Sequence, residues 1–113
     1  MRPVALLLTA LIAAGSGPAQ AAGSGNPTHD RLLALPAAEQ ANTLAKNVGR
    51  GCIGTSAFMM GLVSTDKWKS IAYWSVKCKD GRSYAVQIAP NAEAFVIDCR
   101  LLQANGKECF KKF

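Results

Sequence analysis

A single histidine, His29, and no C-x-x-C pair in 113 residues remove most of the usual chemistry at once. Zinc sites draw on cysteine and histidine at matched spacing, and neither pattern is present. Ser/His/Asp machinery would have to be built on His29 alone. Paired carboxylates would have to come from Asp66, Asp80, Glu93, Asp98 and Glu108, two of which, Asp66 and Asp80, read as turn residues. The sequence therefore predicts no enzyme, no metal and no cofactor. Long apolar runs are also missing: the longest, Val4 to Ala14, is about eleven residues, well short of the ~20 that a membrane-spanning helix needs. Acidic residues are scarce as well, 7 against 13 Lys and Arg, for a net charge of +6.

What is present begins with a leader. Arg2 supplies a positive start, Val4 to Ala14 an apolar centre, and Ala19-Gln20-Ala21 a small-x-small cleavage signal, so residues 1–21 read as a secretory signal peptide. Periplasmic or secreted localisation follows as an expectation. Cleavage after Ala21 would leave about 92 residues, a single domain with a modest core. In an oxidising compartment the four cysteines, Cys52, Cys78, Cys99 and Cys109, then form a disulfide framework rather than reactive thiols.

Residues 22–35 read as a flexible leader, because Ala22 to Pro27 is rich in Gly, Ser, Asn and Pro. The domain proper is expected over 36–113. Pro36 opens a helix with the apolar stripe Ala37, Ala41, Leu44, Ala45 and Val48, and Gly49 stops it. Strand signals follow: an apolar run from Ala57 to Val63, then Ile71 to Cys78, Arg82 to Ile88, and Ala94 to Leu101. A three-residue Lys79-Asp80-Gly81 loop pairs Val76 with Tyr84 and Trp74 with Val86, which sets the bulky faces of both strands on one side. The expected fold is α+β, with an N-terminal helix packed on a four-stranded antiparallel meander, two layers and two disulfides. That helix is expected across a face formed by Trp74, Val86 and Ile97, with Phe95, Ile97, Cys99 and Leu101 alternating onto one side.

Four cysteines allow three pairings. In a meander, Cys78 and Cys99 lie at one edge with a strand between them, roughly 10 Å apart, beyond the ~7 Å Cα limit of a bridge. Cys52 with Cys78 and Cys99 with Cys109 is the favoured set.

The partner surface is expected around Lys67, Trp68, Lys69, Tyr73 and Lys77, where aromatic rings stand between lysines. Lysine stems lying over half-buried rings are the bland alternative. The excess positive charge favours an anionic envelope or extracellular protein, with solubility as the alternative. Export argues against nucleic acid.

The run from Trp74 through Cys78, Asp80, Gly81 and Tyr84 to Val86, followed by Val96 to Cys99 and by Cys109-Phe110, resembles a group of small exported proteobacterial proteins. Over roughly Pro36 to Leu101 it is also similar to the helix-plus-meander of PepSY-type domains, from which it departs in having four cysteines. The resemblance implies a binding or protease-inhibitory module of the cell envelope and carries no catalytic residue across. The function expected is an exported binding module. An accessory structural subunit of an envelope complex is the alternative, ahead of an enzyme.

Overall fold

The computed structural model describes residues 23–65, 67 and 69–113. The expected signal peptide, residues 1–21, lies outside them, as do Asp66 and Trp68. Four strands form one antiparallel sheet in the order β1 (Gly54–Val63), β2 (Ile71–Cys78), β3 (Ser83–Ile88) and β4 (Ala94–Asp98). Apolar residues on every second position of β2 and β3 drive the pairing. Trp74 stands opposite Val86 and Val76 opposite Tyr84, the register expected from the Asp-Gly turn. Gly81 closes that turn at φ +94°, a left-handed conformation that costs glycine little, and Asp80 accepts the backbone N–H of Arg82 at 3.1 Å.

Two helices cover one face. α1 spans Pro27–Leu33 and α2 spans Ala37–Val48. α2 follows Pro36 and ends at Gly49, whose φ of +67° breaks the helical path. Its stripe Ala41, Leu44, Ala45 and Val48 is buried. Leu44 and Val48 join Leu32 of α1 and Ala72, Trp74, Val76, Val86 and Ile88 of the sheet in one core. The alanines set how near the helix comes: a Cβ on Gly54 of β1 would run into the carbonyl of Ala41, so glycine is what allows the two backbones to meet.

α1 lies where the sequence reading expected a flexible leader. Its N-cap Asn26 is fully buried, accepts the His29 backbone N–H at 3.1 Å, and donates its amide to the carbonyls of Ser70 (2.7 Å) and Ile88 (3.0 Å). Pro27 occupies the first helical position, where its missing N–H costs nothing. The Gly/Ser-rich composition of this stretch conceals a helix start stitched to the ends of β2 and β3.

The fourth strand departs from expectation. β4 stops at Asp98, whose side chain accepts the Arg100 N–H at 2.8 Å and caps α3, Cys99–Ala104. Residues expected to extend the strand to Leu101 are therefore helical. The faces of β4 also exchange. Val96, not Ile97, stands opposite Val86 and reaches the core beneath α2, while Ile97 pairs with Ala85 on the other face.

That second face is covered too, so the molecule has three layers rather than two. Met60, Ala85 and Leu102 are buried there, with Phe58, Tyr73, Ile97 and Cys109 packed around them. The C-terminal segment runs across the sheet: the Phe110 N–H donates to the buried Ser75 hydroxyl at 2.8 Å, and the Phe113 N–H to the Met60 carbonyl at 3.1 Å. The disulfides are Cys52–Cys78, which ties the turn after α2 to the end of β2, and Cys99–Cys109, which ties α3 to the C-terminal segment. Both are the pairs favoured from strand order. In the chain-entropy model, their separations of 26 and 10 residues correspond to about 3.5 and about 2.7 kcal/mol.

Candidate functional site

The residues singled out in the sequence lie on β2 and on the connection that precedes it. Lys67 and Lys69 are exposed in the connection between β1 and β2, and Trp68 between them lies outside the described residues. Tyr73 and Lys77 share the face of β2 away from α2, four positions and roughly 13 Å apart. Tyr73 is half-buried. The Phe113 ring lies edge-on to it, with centroids 5.1 Å apart and planes at 69°. Gly61 on β1 makes room for that ring, which sits 3.0 Å from where a Cβ would project.

What the fold gathers around Tyr73 is the C-terminal segment. Lys107 Nζ stands 5.1 Å from the Phe113 centroid, and Lys112 Nζ stands 6.0 Å from that of Phe58. Phe58 in turn packs against Phe110, with centroids 6.3 Å apart. Lys107, Lys111 and Lys112 border a cleft of about 220 Å³ in which Glu108 supplies the one acidic side chain, and Phe113, 53% exposed, forms its apolar wall. The Cys99–Cys109 bridge holds the start of this segment to α3. Cation–π contact with the ring faces does not neutralise the lysines; it positions their ammonium groups over aromatic rings.

The electrostatics leave this face positive. Among the described residues there are two ion pairs, Asp80–Arg82 at 2.7 Å and Asp98–Arg100 at 3.1 Å, and neither uses a lysine. The Arg82 backbone N–H, reinforced by its guanidinium, holds the Asp80 carboxyl below its usual range. The Arg100 guanidinium, with its backbone N–H, does the same for Asp98. Two carboxylates are thus committed to arginines two residues away. Asp30 is turned to Ser24, accepting from its hydroxyl at 2.9 Å and its N–H at 3.1 Å. All eight lysines are exposed. Among the described residues no three His, Cys, Asp or Glu side chains gather in a metal-binding group, and no helix is long and apolar enough to cross a membrane.

Sequence reading missed Lys107, Lys111, Lys112 and Phe113 as site residues. The signal was visible in the basic and aromatic composition of the last seven positions. What it lacked was a place: only the Phe110–Ser75 and Phe113–Met60 hydrogen bonds put those residues over Tyr73. No protein-family model, curated protein or solved structure matches this chain.

Proposed function

We propose that this protein is an exported, disulfide-stapled binding module that captures an anionic envelope or extracellular protein through the basic, aromatic face around Phe113. The observation that carries the reading is the cleft bordered by Lys107, Lys111 and Lys112, with no ion pair to any of them among the described residues and an exposed ring in its wall. Uncompensated lysines attract a negative surface over a distance, and the ring contributes desolvated contact on arrival. Two disulfides are compatible with a periplasmic or extracellular site of action. The resemblance to PepSY-type helix-plus-meander domains supports binding, with inhibition of the captured protein as its sharper form.

Lys67, Lys69 and Lys77 contribute to the long-range field in this reading, and Tyr73 supports Phe113 from beneath. The test is capture from an envelope extract by immobilised oxidised protein. Wild type retains an acidic protein that elutes with salt, and the triple variant K107E/K111E/K112E loses it, while K46E on α2 retains it. Equal capture by all three proteins sinks the reading. A stoichiometric complex that survives purification in high salt would instead identify an accessory structural subunit.

A further inference from the structure

A second concavity lies on the opposite side of the molecule, between α1 and α2, and its chemistry differs from that of the lysine cleft. It is half-open to the surface and holds about 270 Å³. Beneath it lie Leu32, Leu44 and Ile88, almost wholly buried at 3%, 0% and 2% exposure, and half-buried Leu35 supplies its accessible aliphatic surface. An ordered water needs two to four polar partners, and an aliphatic floor supplies none. The occupant that this floor favours is apolar.

The rim is polar and carries one charge. Arg31 is exposed and is the only charged residue lining the cavity. Its guanidinium reaches the Thr28 hydroxyl at 3.4 Å and joins neither ion pair found among the described residues. Asp30, the carboxylate next to it in sequence, is engaged by Ser24 instead. A guanidinium at the lip of an aliphatic cavity complements a molecule with an apolar tail and an anionic, planar head, which it can hold through two parallel N–H donors. The volume sits just under the ~300 Å³ at which small-molecule sites begin, which excludes bulky ring systems and suits a slim chain.

We infer that the cavity between α1 and α2 binds a free carboxylic acid with one short alkyl chain, the chain lying against Leu35 above the buried Leu32 and Ile88 and the carboxylate facing Arg31. This site is independent of the lysine cleft. It is formed by α1 and α2, on the other side of the sheet from the C-terminal segment.

Octanoate, kept well below its micelle-forming concentration, is the probe, titrated into the oxidised protein by calorimetry and followed by methyl NMR. Saturable binding with one molecule per chain is expected, with the largest shifts at the Leu32, Leu35, Leu44 and Ile88 methyls. Thr43→Trp places an indole from the exposed rim into the cavity and reduces affinity at least tenfold; Leu35→Trp does the same from the connection between α1 and α2. Arg31→Glu weakens octanoate at least tenfold and leaves octanol unchanged. K107E/K111E/K112E binds octanoate as wild type does, which keeps this test separate from that of the lysine cleft. The inference is overturned by octanoate and octyltrimethylammonium binding equally, by undiminished binding in both tryptophan variants, or by shifts confined to the lysine cleft.

Discussion

His29 is the only histidine in the chain, and it is buried to 1% exposure with its Nδ1 accepting the indole N–H of Trp74 at 2.9 Å. An accepting Nδ1 carries no proton, so this imidazole is neutral with its proton on Nε2. Burial holds its pKa below the ordinary 6.5, and the negative charge of Asp30 opposes that only in part. A base with a depressed folded pKa stabilises the native state above its unfolded pKa, and the contribution is lost as pH falls below about 6.5, where the unfolded chain takes up the proton first. Protonation also ends the hydrogen bond, since imidazolium has no acceptor. His29→Leu removes the acceptor while the backbone N–H at this position still donates to Asn26. The Trp74 N–H, on a residue 1% exposed, then has no partner, which costs about 1–3 kcal/mol. At roughly 4–8 °C per kcal/mol for a domain of this size, Tm drops by about 4 to 24 °C. Thermal melts of the oxidised protein between pH 7.5 and 5.5 supply the second readout: wild type loses stability on acidification, and His29→Leu is nearly flat over the same range. A slope that survives the substitution would refute the assignment, because no other histidine exists to produce it.

Replacing Cys52 and Cys78 together by alanine removes the longer loop closure and costs about 2–5 kcal/mol in denaturant melts, more than the same change at Cys99 and Cys109. Gly54→Ala forces β1 off the Ala41 carbonyl and destabilises by about 1–3 kcal/mol, with the largest amide shifts in NMR along α2. Asn26→Ala leaves the Ser70 and Ile88 carbonyls without their side-chain donor, so hydrogen exchange should rise first in α1 while the β2–β3 hairpin stays protected.

The parts legible in the sequence are those set by local geometry. Alternation in β2 and β3 together with the Lys79-Asp80-Gly81 turn determines one register, and that register places the cysteines so that only neighbours can bridge. Pro36 and Gly49 bracket α2 in the same local way. The parts that were not legible depend on distant partners. α1 is held by Asn26 bonding to Ser70 and Ile88, 44 and 62 residues away, and a Gly/Ser-rich stretch gives no hint of that. β4 reads Phe95, Val96, Ile97, apolar at each position, so alternation cannot say which face Val96 takes; the pairing of Ile88 with Ala94 decides it. The lysine cleft was partly visible as composition. Its position required the path of the last four residues across β1 and β2, set by hydrogen bonds to Ser75 and Met60.

The central claim is that a basic, aromatic face recruits an anionic partner, and its most direct test is the association rate of the captured protein as a function of ionic strength. Electrostatic recruitment predicts that the wild-type rate falls steeply as salt rises, and that K107E/K111E/K112E starts slower and shows a much weaker dependence, with Phe113→Ala changing dissociation far more than association. Association that is equally fast and equally salt-dependent in wild type and the triple variant would contradict the claim.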